Sequence, residues 1–86
     1  MKKIIMLAVL YFLTWDANTE PDLKFYKVYR MWNLVKGWQL LTTVSKDRNE
    51  LPMQILPTGF YSVSAVDLDN NESPKSSSVF YIKKKQ

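Results

Sequence analysis

Apolar and polar residues alternate along most of the chain, and short groups of turn residues interrupt the alternation. The stretch FYSVSAVD, residues 60–67, is the most regular example, with Tyr61, Val63 and Ala65 spaced two apart. Side chains two residues apart lie on one face of a β-strand, so this spacing predicts a strand with one buried face. No segment shows a convincing helical period. The pattern therefore predicts an all-β sandwich.

Strand positions follow from the alternation and from the turn residues between the alternating segments. Pro21 ends any pairing before the second strand, Gly37 marks the turn before the third, and Pro52 indicates an edge position or a strand start for the fourth. The predicted strands are residues 8–16, 23–32, 38–44, 51–56, 60–67 and 77–83.

The same alternation separates predicted core positions from predicted surface positions. In the second strand, Lys27, Tyr29 and Met31 are predicted to point outward. The predicted core residues are Tyr11, Leu13, Trp15, Tyr26, Val28, Tyr61, Val63 and Ala65.

The N-terminal segment MKKIIMLAVLYFLTWDAN allows two interpretations. Two lysines followed by the apolar run 4–13 imitate a secretory or lipoprotein leader. Trp15 and Asp16, however, stand where a cleavage site needs small residues, and Val9 begins a period-2 series that ends at Trp15. We expect a strand here, and an exported or lipid-anchored module remains the alternative. The run is too short for a membrane-spanning helix, which needs about 20 apolar residues.

Length and composition limit the chain to one small domain without obvious chemistry. The 86 residues include no cysteine and no histidine, which removes disulfides, thiolate metal sites and the commonest general base. Of the 12 basic residues, five are lysines in the terminal segments, which leaves seven basic against eight acidic residues in the body of the domain. We therefore expect no basic face for nucleic acid, and a solvated basic tail at 84–86.

Four segments in order resemble a fibronectin type III domain over roughly residues 9–82. They are YFLTWDANTEPDL, in which Trp15 ends a strand, followed by YKVYR, GWQLLTTV and YSVSAVDLDNNESP. The resemblance implies an immunoglobulin-like sandwich of fibronectin type III topology, with six or seven antiparallel strands in sheets of about three and four. It also implies that Trp15 is buried between the sheets, and it implies no enzymatic activity.

The chain departs from that family in two places. Only about seven residues precede the strand that carries Trp15, so the family's first strand is truncated, fused into an N-terminal arm over residues 1–7, or supplied by a neighbour. Tyr61 follows Gly59 by two residues rather than three, which predicts an altered or absent tyrosine corner.

Two groups of residues are candidates for a metal site or a catalytic pair. Asp67, Asp69 and Asn71 reproduce the opening of a calcium loop, but Glu72 and Ser78 stand where such a loop needs Gly and Glu. We interpret the segment as a turn in which Asn adopts the left-handed conformation. The serines at 76–78 beside Lys75 are interpreted as a strand entry rather than a Ser-Lys pair. We predict no catalytic residue, no metal and no cofactor.

The remaining candidate is surface. Ala8, Leu10 and Phe12 are apolar although they alternate with predicted core positions, and a solvated sheet face should be polar. Either the first residues fold back as a short edge strand, or a neighbouring subunit covers this face or completes the missing strand. The predicted interface residues are Ile4, Met6, Leu10, Phe12, Tyr29, Met31 and Trp38.

Two functions are compatible with this surface. The first is a non-enzymatic structural component of a larger assembly, such as an accessory or decoration protein of a tailed-phage virion, because similar single domains occur there. The second is an exported or lipid-anchored cell-surface adhesion module that binds protein or surface glycans. In both, the expected partners are other protein subunits, with no nucleic acid and no membrane span.

Overall fold

A computed structural model of the chain describes residues 6–9, 12–18 and 20–83. Seven strands and one 3-10 turn form the described part of the fold. In chain order they are β1 (Met6–Val9), β2 (Phe12–Trp15), β3 (Leu23–Met31), β4 (Gln39–Ser45), β5 (Glu50–Pro52), the 3-10 turn (Met53–Ile55), β6 (Gly59–Asp67) and β7 (Val79–Tyr81).

The strands form two antiparallel sheets that pack as a β-sandwich, as the all-β prediction requires. One sheet has three strands in the order β1-β2-β5, and the other has four in the order β4-β3-β6-β7. Strands β3, β4 and β6 begin and end within one residue of the predicted bounds. Their alternation is clear because one face of each strand meets the opposite sheet.

The core lies between the two sheets. Leu13 and Trp15 enter it from β2, and alternate residues of β3 and β6 enter it from the other side. The Trp15 and Tyr26 rings meet edge to face, with centroids 5.4 Å apart and an interplanar angle of 66°. Tyr11 lies outside the described residues. The buried residues from β3 and β6 include Tyr26, Val28, Tyr61, Val63 and Ala65.

The prediction of a single strand over 8–16 is wrong. Residues 6–9 and 12–15 are two strands paired as an antiparallel hairpin, with Met6 opposite Trp15 and Val9 opposite Phe12. The chain therefore forms the short edge strand that was one of the two alternatives for its first residues. The sequence conceals the hairpin because the connecting residues, Leu10 and Tyr11, are apolar rather than the Gly, Asn or Asp that mark two-residue turns.

Two other predicted strands are shorter in the structure. The strand over 51–56 ends at Pro52, where the 3-10 turn begins and directs Met53 and Leu56 into the core. The strand over 77–83 is reduced to β7, because the residues before it use serine side chains to bond β6. Neither the 3-10 turn nor the serine-bonded segment has the period-2 pattern by which strands are recognised.

Of the two predicted outcomes for the tyrosine corner, altered or absent, the structure excludes the second. The Tyr61 hydroxyl donates a hydrogen bond to the Pro57 carbonyl, four residues upstream. Gly59 leaves room for the Arg30 side chain, because a Cβ at that position would lie 2.9 Å from Nε of Arg30. Arg30 in turn donates from Nε to the Thr58 carbonyl at 3.1 Å, which ties β3 to the start of β6.

Candidate protein-interaction surface

The segment 72–77 runs beside β6 and replaces ladder hydrogen bonds with bonds to serine hydroxyls. The Ala65 amide donates to Oγ of Ser73 at 2.9 Å, and the Val63 amide donates to Oγ of Ser76 at 3.0 Å. The amides of Ser73 and Ser76 donate back to the carbonyls of Ala65 and Val63, both at 2.8 Å. The segment is therefore fixed to β6 although it forms no continuous strand.

This segment covers part of the outer face of the four-stranded sheet. Ser62 and Ser64 point away from the core, yet each is 0% exposed because the segment lies over them. The Ser62 hydroxyl donates to the Ser76 carbonyl at 2.8 Å, so the buried oxygen is satisfied. Phe60 lies on the same outer face of β6, beyond the covered region, and is 38% exposed. The usual arrangement is reversed, with serines covered and a phenylalanine open.

Glu72 connects the covering segment to the outer face of β3. Its carboxylate accepts hydrogen bonds from the Tyr29 hydroxyl, from Oγ of Ser64 at 2.7 Å and from Nζ of Lys27 at 3.3 Å. Burial, the hydrogen bond to Glu72 and the charge of Glu72 raise the pKa of Tyr29 to about 12. Partial burial raises the pKa of Glu72, but the three donors outweigh it and hold that pKa below its usual value. Nζ of Lys75 lies 4.3 Å from the Tyr29 ring centroid, so the covering segment contacts Tyr29 through Lys75 as well as through Glu72.

Exposed apolar side chains gather where β3 and β7 end and β4 and β6 begin. Met31 is opposite Phe60, and Phe60 is opposite Phe80. The rings of Phe60 and Phe80 lie 4.7 Å apart with an interplanar angle of 47°. We call this region the apolar end. It consists of the half-buried Met31 and the exposed Trp32, Leu34, Val35, Leu40, Phe60, Phe80 and Ile82.

The β3–β4 turn presents two apolar side chains at the tip of the apolar end. The Gly37 amide donates to the Asn33 carbonyl at 2.9 Å, and the Val35 amide donates to Oδ1 of Asn33 at 2.8 Å. Gly37 has φ +66°, a conformation that glycine adopts without the Cβ clash of other residues. The hydrogen-bonded turn leaves Leu34 85% exposed and Val35 94% exposed.

All charged residues within the segments 29–41, 56–61 and 79–83, which contain the residues of the apolar end, are cations. They are Arg30, Lys36 and Lys83. The Arg30 guanidinium lies 5.9 Å from the Trp32 ring centroid. The apolar end is therefore bordered by positive charge.

The opposite end of the four-stranded sheet is polar, and the D-x-D-x-N stretch is a turn there. Oδ1 of Asp67 accepts hydrogen bonds from the Asp69 amide at 2.9 Å and from the Asn71 amide at 2.8 Å. The Asn71 hydrogen bond, with smaller contributions from other donors, lowers the pKa of Asp67. Asn70 has φ +66°, as the turn interpretation expects. Across residues 6–9, 12–18 and 20–83, no three Asp or Glu side chains gather as a metal site would require.

The predicted interface residues fall into three groups. Ile4 and Leu10 lie outside the described residues, and Met6 begins β1. Phe12 is exposed on β2, away from the four-stranded sheet. The structure brings Tyr29 and Met31 together on the outer face of β3, and Trp38 is half-buried immediately before β4.

Sequence reasoning missed the residues that dominate the apolar end. Phe60 was within reach, because it alternates with Tyr61, Val63 and Ala65 and must point outward. Phe80 could be placed beside it only once the β6–β7 register was known. Leu34 and Val35 lie between the predicted strands 23–32 and 38–44, where no alternation indicates which side chains are exposed.

The chain matches no protein-family model, no curated protein and no solved structure with which it was compared. A binding role for the candidate surface is therefore inferred from its geometry. None of the described residues belong to a helix with the length and hydrophobicity needed to cross a bilayer.

Proposed function

We propose that this chain is a non-enzymatic protein-interaction domain that docks into a larger assembly through the apolar end. The observation that carries the proposal is the reversed exposure on β6, where Phe60 is open and Ser62 is covered. An exposed cluster of large apolar residues lowers the solubility of a free domain, and such clusters usually mark interaction sites.

The composition and rigidity of the apolar end suit a protein partner. Aromatic residues, methionine and arginine are enriched at protein interfaces, and Trp32, Phe60 and Phe80 supply aromatic area here. Phe60 and Phe80 lie on paired strands, so binding fixes little additional backbone. The bordering cations favour a partner surface that is apolar at its centre and acidic at its rim.

The assembly we propose is a particle such as a tailed-phage virion, in which the chain is an accessory or decoration component. The fibronectin type III resemblance suggests this location. The sheet order β1-β2-β5 and β4-β3-β6-β7, the buried Trp15 and the Tyr61 hydrogen bond all agree with that family's architecture and support the proposal. The absence of histidine and cysteine from the sequence supports a non-enzymatic role.

An exported cell-surface module is the second candidate, and the N-terminal lysines with their apolar run favour it. Leu13 and Trp15 weigh against cleavage of that run, because both are core residues on β2. Cleavage after Ala17 would remove β1 and β2 and leave the four-stranded sheet without most of its cover.

The proposal is tested by co-sedimentation of the tagged chain with particles from its native source. The double variant Phe60→Thr/Phe80→Thr places threonine, which favours strands, at both positions, so it should stay folded and lose about 1–2 kcal/mol of unfolding free energy. We expect this variant to remain in the supernatant while the unchanged chain sediments with the particle.

The matched control is Leu68→Thr, which alters an exposed leucine at the polar end. It should sediment like the unchanged chain. If the unchanged chain stays in the supernatant, or if the double variant sediments with it, the apolar end is not the docking surface.

A further inference from the structure

We propose that two copies of this chain join through β4, with β4 of one copy pairing antiparallel to β4 of the other. Among the described residues, β4 is an edge strand, since β3 is its only neighbour in the four-stranded sheet. The other edges described are short: β1 has four residues, β7 has three, and β5 has three including Pro52. β4 has seven, QLLTTVS, with no proline and no charge. Proteins normally protect an edge of this length with such residues.

The free hydrogen-bonding groups of β4 can be placed from the bonds on the other side of the sheet. The amides and carbonyls of Val63 and Ala65 bond Ser76 and Ser73, so they point away from β3. Antiparallel pairing alternates direction, so the backbone groups of their β3 partners point toward β4 instead.

Those β3 partners are Tyr26 and Val28, which pair with Val44 and Thr42 of β4. The backbone groups of Val44 and Thr42 therefore point toward β3. Thr43 lies between them, so its amide and carbonyl point outward at the free edge. The carbonyl accepts a hydrogen bond from the Thr42 hydroxyl at 3.3 Å and keeps a second lone pair for a partner strand. Its exposed side chain lies opposite Lys27 and away from the core.

The sequence of β4 suits a second copy of itself. A two-fold axis through Thr43 places Thr43 opposite Thr43, Thr42 opposite Val44 and Leu41 opposite Ser45. No like charges meet in this register, and threonine pairs are favourable across antiparallel strands. The β-bulge opposite Val28 and Tyr29 lies at Leu41, so regular pairing about the two-fold axis covers residues 42–44. Self-pairing of this kind gives a closed two-fold dimer with one continuous eight-stranded sheet.

Sedimentation velocity of the purified chain over a concentration series tests the dimer. We expect a monomer–dimer equilibrium. Thr43→Pro removes the outward amide, which edge strands tolerate, and Thr43→Lys adds like charges at the two-fold axis. The two-fold axis places each substitution in the contact twice, once from each copy. Each variant should therefore raise the dimer dissociation constant at least about tenfold. Thr43→Val keeps the amide and the branched side chain, so it should dimerise like the unchanged chain.

Circular dichroism tests whether each variant is folded. If Thr43→Pro is unfolded, Thr43→Lys decides the outcome. The proposal would be overturned by a monomer at every concentration or by a dimer that is equally stable in the Thr43→Lys variant. The edge would then remain available to a strand of another protein. The Phe60→Thr/Phe80→Thr variant should still dimerise, so failure of this inference is distinct from failure of the proposed function.

Discussion

Phe60 and Ser62 point from the same face of β6, two residues apart, and their exposures are the reverse of their polarity: the serine is fully buried and the phenylalanine is 38% exposed. The segment 72–77 causes the difference, because it lies over the serines and stops short of Phe60. One part of the outer sheet face is therefore closed by this chain, and the other is left open for a partner.

The serine hydroxyls should contribute strongly to stability. Ser73→Ala removes the acceptor of the buried Ala65 amide, and an unsatisfied buried donor costs about 1–3 kcal/mol. Ser78→Ala, at an exposed serine just after that segment, should stay within about 0.5 kcal/mol of the unchanged chain. Urea denaturation measures both. Equal stabilities for the two variants would show that the serine bonds do not hold the segment on β6.

Glu72 should make stability depend on pH in the acid range. Its folded-state pKa is depressed, so its contribution is present above the unfolded-state value of about 4.3 and is lost as pH falls through the folded-state pKa. At neutral pH, Glu72→Gln should lower the free energy of unfolding by about 0.5–1 kcal/mol, because Glu72 is exposed and solvent screens its interactions. Once the pH falls below the folded-state pKa of Glu72, the two proteins should approach each other in stability.

Chemical denaturation at a series of pH values measures this difference. Glu50→Gln serves as the control, because it removes the same charge from an exposed side chain without touching Tyr29. In the Glu72→Gln protein, the pKa of Tyr29 should also fall from about 12 toward its usual value, which NMR titration of the ring reports. A difference between Glu72→Gln and the unchanged chain that is constant with pH would contradict this account.

The Tyr61 hydroxyl should stabilise the turn before β6. Tyr61→Phe keeps the buried ring and removes the hydrogen bond to the Pro57 carbonyl, so a loss of about 1 kcal/mol is expected in thermal or urea unfolding. Tyr81→Phe removes a hydroxyl from a half-buried ring and should cost less. A larger loss for Tyr81→Phe would mean that the corner bond contributes little.

The N-terminal strands should be required for folding. A chain shortened to residues 18–86 lacks Leu13 and Trp15, whose burial contributes roughly 1.5–3 kcal/mol each. We expect this chain to bind apolar dyes and to unfold without a cooperative transition. A native near-ultraviolet circular dichroism spectrum for the shortened chain would instead favour the leader interpretation.

The sequence predicted the parts of the fold in which alternation and packing agree. Tyr26 and Val28 on β3, and Tyr61, Val63 and Ala65 on β6, are spaced two apart and are buried. The β1–β2 hairpin could not be predicted, because both strands and their connection are apolar. The candidate site was harder still, because Ser62 and Ser64 are buried only through hydrogen bonds made by a segment that has no periodic pattern.

The central claim is that the apolar end contacts a partner, and site-specific photo-cross-linking tests it most directly. A photoreactive amino acid placed at Phe80 reports on the apolar end, and one at Leu68 reports on the polar end, where an exposed leucine offers a similar setting. In the native source, we predict a single protein adduct from position 80 and none from position 68. An adduct from position 68 alone, equal labelling at both positions, or no adduct from position 80 would contradict the account.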